Sequence, residues 1–174
     1  PDSGFRLDAA GEIQFKHGAV MQGYYRDEER TRETFTDDGW LRTGDRGRVD
    51  ADGFLFITGR IKDEFKTAKG KYVTPSAVEG LLARNTDIEM LCLVGAGLNQ
   101  PLMLVTLNPN GKVRDRTALE AALAADVAAV NTELDADSRI ARCLVLSENW
   151  TPDNGLITPT GKVKRNEVEA RYRT

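Results

Sequence analysis

Near residue 59 the spacing of apolar residues changes period, and a chain that does this cannot be one uniform layer of structure. Before that point the pattern is short and strand-like. Glu12–Lys16 alternates polar and apolar, as a half-buried strand does. Asp38-Gly39 and Asp52-Gly53 are turn signals. Around the second, residues 47–50 run in and residues 54–57 run out, which predicts a β-hairpin. The charged stretch 27–35 predicts a short exposed helix. After that point helical and strand periods mix. Thr74 followed by Pro75 predicts a helix start with Thr74 as its cap, and Val78, Leu81 and Leu82 supply the apolar stripe. Ile88–Val94 and Leu102–Leu107 predict buried strands with a turn at residues 99–101. Thr117 and Glu120 form a capping-box pattern ahead of a helix whose Leu119, Leu123, Val127, Val130 and Leu134 share one face. Residues 140–146 read as a further strand and residues 166–172 as a closing helix. The expectation is an α+β chain: a β-rich, incomplete portion at 1–59, and a domain of ordinary size at 60–174 with a short mixed sheet flanked by helices.

Bulk properties narrow the function classes. Hydrophobic residues make up 40% of the 174, enough for a packed core, and the net charge is −3. An acidic balance gives no general pull toward nucleic acid. No apolar run approaches the roughly 20 residues of a membrane-crossing helix. The first residues lack the pattern of a secretory signal and there is no initiator Met, which suggests a piece of a longer protein. Cys92 and Cys143 stand in apolar runs without metal-type spacing and read as core residues. The lone histidine, His17, belongs to no motif and reads as a loop residue.

Three stretches carry possible chemistry. In residues 39–45, Gly-Trp-Leu-Arg-Thr-Gly-Asp, the carboxylate of Asp45 follows a glycine where the backbone can approach a ligand, and one carboxylate can accept both hydrogen bonds of a cis-diol. An Asp in that setting is more often a turn residue. Residues 58–63, Thr-Gly-Arg-Ile-Lys-Asp, lead into Lys-Thr-Ala-Lys-Gly-Lys-Tyr-Val at 66–73, a run rich in cations and glycine that suits an anion or simply solvent. Residues 156–165, Leu-Ile-Thr-Pro-Thr-Gly-Lys-Val-Lys-Arg, place Lys162 after a glycine and ahead of a helix, without the spacing of a phosphate-binding P-loop.

Singly these are weak. In this order, together with Gly11-Glu12-Ile13 and Val20-Met21-Gln22-Gly23-Tyr24-Tyr25, they resemble the adenylate-forming superfamily of acyl-CoA synthetases, luciferases and peptide-synthetase adenylation domains. The stretch 65–73 and the Thr-Pro-Thr lead-in to Lys162 look like its long-chain fatty-acyl-CoA synthetase branch. The resemblance implies that 1–59 is the end of the large N-terminal AMP-binding domain and 60–174 the small C-terminal domain. It implies that Asp45 binds the ribose hydroxyls of ATP and AMP, that Arg60 holds the nucleotide nearby, and that Lys62 is the hinge. It makes Lys162 the catalytic lysine and places Lys69, Gly70 and Lys71 on a loop bordering the CoA channel. It also implies ATP, CoA and Mg²⁺ as cofactors. No metal ligands are expected in this chain, because the family's Ser/Thr/Gly-rich phosphate loop and its metal-binding Glu lie upstream, as does the acid pocket. The expected whole enzyme is a cytoplasmic acid–thiol ligase whose partners are ATP, a carboxylic acid and CoA, with a peripheral membrane contact through its lipid substrate. On this reading the 174 residues alone are inactive. The rival readings are an adenylation domain that loads a carrier protein and a non-catalytic module of the same fold. Substitutions at Lys164 and Arg165 are expected to matter less than one at Lys162.

Overall fold

The computed structural model describes residues 4–173, and the chain divides into two compact units at the Lys62–Asp63 bond. A 3₁₀ turn, Ile61–Asp63, carries the chain across that division.

The first unit is a four-stranded antiparallel sheet, β1 (Gly4–Leu7), β2 (Glu12–Lys16), β3 (Leu41–Val49) and β4 (Leu55–Arg60), ordered as in the sequence. One helix, α1 (Glu28–Thr34), stands between β2 and β3. Asp27 caps it by accepting a hydrogen bond from the Arg30 amide, and none of its residues is buried. The hairpin around Asp52-Gly53 appears as β3–β4, and a strand forms at residues 12–16 as β2, but not half-buried as its alternation suggested: Glu12 and Gln14 are buried along with Ile13. The first strand, Gly4–Leu7, gave no sequence signal because it is too short to show a period.

The second unit is a three-stranded sheet, β7 (Ile88–Val94), β8 (Leu102–Leu107) and β9 (Arg142–Val145), in that spatial order. β7 and β8 are antiparallel; β8 and β9 are parallel, and the long helix α4 (Arg116–Thr132) lies between them in sequence. Period-2 alternation divides the core between the two faces. Leu93, Met103 and Val105 pack against Val78 and Leu82 of α2 (Pro75–Leu82) and Leu119, Leu123 and Val127 of α4. Cys92, Val94 and Leu104 point the other way, against Trp150, Leu156, Ile157 and Val168 of α5 (Arg165–Tyr172). Cover on both faces is why β8 reads as one continuous apolar run rather than an alternation. A two-stranded ribbon, β5 (Phe65–Lys66) with β6 (Tyr72–Val73), precedes α2, and a short helix, α3 (Pro109–Lys112), follows β8.

Several local expectations need correction. Thr74 is the N-cap residue of α2 with Pro75 next to it, as expected, but its hydroxyl donates to Glu64 Oε1 at 2.9 Å and makes no capping bond. The cap of α4 is Asp115, two residues ahead of the Thr117 capping-box pattern; its carboxylate accepts from the Ala118 amide at 2.8 Å. Both residues suit a cap, and the Asp carboxylate reaches the free amides one half-turn earlier. Helix α4 ends at Thr132, so Leu134 meets the core from beyond it. The strand expected at 140–146 narrows to Arg142–Val145, with Ile140 buried just before it. Cys92 is fully buried and Cys143 half-buried, and burial pushes their thiols up to about 12 and about 11.

Candidate functional site

One local device recurs throughout the chain. A Thr or Asp starts a tight turn and a glycine at positive φ stands three residues later. The first residue's amide bonds the carbonyl two residues past the turn's centre, and its side-chain oxygen accepts from that same fifth residue's amide. The five instances begin at Asp8, Thr36, Asp50, Thr67 and Thr158 and end at Glu12, Trp40, Phe54, Lys71 and Lys162. Their glycines, 11, 39, 53, 70 and 161, have φ between 77° and 87°. Glycine alone takes that conformation without strain, which explains its invariant place in the turn. The sequence pattern Thr/Asp-x-x-Gly was the available signal.

Two of these turns carry candidate site residues. In Thr158-Pro159-Thr160-Gly161-Lys162 the amide of Thr158 bonds the Lys162 carbonyl at 2.8 Å, and the Lys162 amide bonds Thr158 Oγ1 at 3.0 Å. The Ile157–Val163 bridge and the Lys164 amide to the Leu156 carbonyl, 2.9 Å, tie this turn to the core. The Lys162 side chain is exposed and has no partner among the described residues. Lys69, Gly70 and Lys71 occupy the β5–β6 turn, all exposed. Its backbone is held by the Ala68 amide to the Leu98 carbonyl, 2.8 Å, and the Gly97 amide to the Lys66 carbonyl, 3.0 Å.

In the first unit, Asp45 and Arg60 face each other across β3 and β4, with Arg60 Nε 3.0 Å from Asp45 Oδ1. The strand bulges to put Asp45 there. Between the pairings Glu12–Arg46 and Gln14–Arg42, β3 has three residues where β2 has one. The buried Glu12 carboxylate fills the bulge and accepts from the Gly44 amide at 2.9 Å. Thr43 Oγ1 donates to the Ile13 carbonyl at 2.7 Å and accepts from the Asp45 amide at 3.0 Å. Gly47 lets the strands close, because a Cβ there would lie 2.6 Å from Ile13 Cγ1. Bulges of this kind re-aim a side chain. Asp45 is about three-quarters buried, and its second carboxylate oxygen has no partner among the described residues. As an ion pair the contact contributes little, since Arg60 is largely exposed. Lys62 is exposed in the 3₁₀ turn at the boundary of the units.

Arg165, the first residue of α5, turns its side chain inward. Its guanidinium forks onto Glu79 of α2, with Nη1 to Oε1 at 2.7 Å and Nη2 to Oε2 at 3.0 Å, and Nη1 also donates to Cys92 Sγ and the Leu93 carbonyl. Both side chains are about 85% buried. Burial, the largest influence, opposes the Arg165 charge, but Glu79 together with Cys92 and Asp63 raises the pKa on balance. Arg171 and Arg173 are paired with Glu148 and Glu169. Among the described residues no group of three or more His, Cys, Asp or Glu could hold a metal, and no helix is long and apolar enough to cross a membrane.

The candidate site residues thus lie on a bulged strand of the first unit, on the boundary turn and on two lysine-bearing turns of the second unit. Residues 62–174 match the AMP-binding enzyme C-terminal domain, and the chain belongs to that family. The long-chain-fatty-acid–CoA ligase FadD15 of Mycobacterium tuberculosis is 34% identical over 99% of this chain and 31% of its own length. Mouse long-chain-fatty-acid–CoA ligase 5 is 30% identical over 98% of this chain and 28% of its own. The chain thus spans about a third of these relatives. Among solved structures, the A-PCP didomain of carboxylic acid reductase from Segniliparus rugosus, in complex with AMP, superposes with a TM-score of 0.80 at 26% identity, over 94% of this chain and 24% of that one.

Proposed function

We propose that this chain is the C-terminal part of a cytoplasmic, ATP-dependent fatty-acid–CoA ligase that forms acyl-CoA through an acyl-adenylate. The observation that carries the reading is the nearly end-to-end match to the mycobacterial ligase, which takes in both units and every candidate motif. In this reading residues 1–59 close the large AMP-binding domain, which supplies the acid pocket and the Mg²⁺ ligands. Asp45 accepts the ribose hydroxyls with the oxygen that Arg60 leaves free, and Arg60 lies beside the nucleotide. Adenylation joins two anions, a carboxylate and an α-phosphate, so its transition state needs a preorganised cation; Lys162, exposed and unpaired on a pinned turn, is that cation. Thioester formation needs other walls around the intermediate. Rotation about Lys62 withdraws Lys162 and presents the Lys69-Gly70-Lys71 turn to the CoA channel.

The test is Lys162→Ala in the full-length ligase. Adenylation should fall by about 10²–10³-fold, and thioester formation from supplied acyl-adenylate should change far less. Equal loss in both half-reactions overturns the assignment. The 174 residues alone should release no pyrophosphate from ATP and fatty acid; turnover of about 1 s⁻¹ would contradict this. The didomain likeness supports a second reading, in which the acyl group goes to a carrier protein. Acyl transfer to a carrier domain in preference to free CoA would establish it.

A further inference from the structure

Strand β7 is an edge of its sheet, and an edge strand presents amides and carbonyls that no neighbouring strand meets. At Leu93 two side chains take the missing strand's place. The Leu93 amide donates to Glu79 Oε1 at 2.7 Å, and the Leu93 carbonyl accepts from Arg165 Nη1. The same Arg165 forks onto both oxygens of Glu79, so one buried pair joins α2, β7 and the start of α5. Asp63, in the boundary turn, adds to the pull on the Arg165 charge. Arg165 stands three residues after Lys162 and is the first residue of α5, a helix without a side-chain cap. The Lys164 carbonyl, between them, accepts from the Glu167 and Val168 amides at 3.0 Å, so the last residues of the Lys162 turn run without a break into that helix.

The pair is poorly suited to stability alone. Arg165 Nε is buried without a hydrogen-bond partner among the described residues, and a buried ion pair often stabilises no more than apolar side chains of the same volume. What a fork does supply is position. A planar guanidinium meets a carboxylate in a fixed orientation, which a lysine at the same place would not impose.

We propose that Arg165 is the positioning residue for Lys162: its buried fork onto Glu79 fixes the start of α5, and with it the turn that carries the lysine. This rests on the ligase reading above. Lys162 reaches solvent on a flexible stem, so the place from which that stem starts decides whether its ammonium meets the α-phosphate. A displacement of about 1 Å at a reacting group can cost on the order of 10²-fold. Arg165 touches no substrate in this account and acts only through Lys162.

The experiment uses the full-length ligase with Arg165→Lys, Glu79→Gln, Lys162→Ala and the double variant Arg165→Lys/Lys162→Ala, and single-turnover rates for each half-reaction. Arg165→Lys keeps a cation beside Glu79 but loses the fork. It should slow adenylation by about 10–30-fold, with the KM for ATP and thioester formation from supplied acyl-adenylate within about threefold of the parent. Both rates are read on one preparation, so the folded fraction cancels in their ratio. Glu79→Gln, which weakens the fork from its other end, should give the same pattern and stands in if Arg165→Lys does not fold. The double variant should be no more than about threefold slower in adenylation than Lys162→Ala alone, because a residue that acts through Lys162 has nothing to position once the lysine is gone. Adenylation within threefold of the parent in both Arg165→Lys and Glu79→Gln overturns the proposal. So does an equal fall in both half-reactions, which would report damage to the unit, and so does a double variant whose loss is the product of the two single losses. The Lys162→Ala arm reports on the ligase reading itself: if it leaves adenylation intact, that reading fails and the proposal falls with it.

Discussion

The two units hold themselves together by different means. In the second unit a hydrophobic cluster lies on each face of the three-stranded sheet, and both clusters lie within residues 65–172. In the first, Ile13 is the sole buried hydrophobic side chain among the described residues, while Phe5, Val49, Phe54, Phe56 and Ile57 are exposed. What orders the first unit is its hydrogen-bonded ladder and a set of cation contacts. Arg6 bonds Asp38 and stacks 4.5 Å from the centroid of Trp40, and Arg48 lies 4.4 Å from that of Phe56. The difference teaches that a side chain can be aimed by a backbone bulge, as Asp45 of the candidate site is, or by a turn anchored to a dense core, as Lys162 is. The second kind should tolerate surface change and fail on core change.

The sharpest way to break that contrast is Arg165→Met. It leaves Glu79 buried without its cation, and the second unit should lose about 3–5 kcal/mol in urea unfolding. A loss under about 1 kcal/mol would show the pair to be incidental. Leu93→Ala should cost about 2–5 kcal/mol, because Leu93 is fully buried in the larger cluster. Phe56→Ala in the first unit should stay within about 0.5 kcal/mol. Comparable losses for the two would erase the distinction between the units. Lys62→Pro probes the turn that divides them: proline fixes φ near −65° and restricts Ile61. In the full-length ligase of the proposed reading, the variant should stay folded with one half-reaction near normal and the other slowed more than about tenfold. If both rates remain within about threefold, a difference under roughly 0.7 kcal/mol, Lys62 is not the pivot.

The smallest effect concerns acid. The Arg6 guanidinium, then the Thr36 hydroxyl, hold the Asp38 carboxyl well below its ordinary 3.8. A carboxylate lowered in the folded state stabilises it above the unfolded pKa, and that contribution fades as pH falls below about 4. An NMR titration should show Asp38 still ionised at pH 3 in the parent and titrating near its ordinary value in Arg6→Ala. An ordinary midpoint in the parent would remove this contact from the account of the first unit.

Much of the second unit was legible because its signals are local. Ile88–Val94 and Leu102–Leu107 emerge with the bounds their apolar runs suggested, and α4 buries the stripe at Leu119, Leu123, Val127 and Val130. What escaped depends on partners distant in sequence. Nothing near Thr74 reveals that its hydroxyl goes to Glu64, and nothing near Arg165 points to Glu79. The Asp45–Arg60 opposition follows from a register shift that no periodicity encodes. Periodicity put the division of the chain at 59/60, whereas the contacts put it after Lys62, since a 3₁₀ turn leaves no periodic trace.

The span of the Glu79–Arg165 pair also bears on how the protein is made. The partners are 86 residues apart, so at roughly 5–20 residues per second the ribosome supplies the arginine about 4–17 seconds after the glutamate. Through that interval Glu79 can stay hydrated only if α2 does not settle finally on β7. The pair thereby forms only once the helix that follows the Lys162 turn has been synthesised.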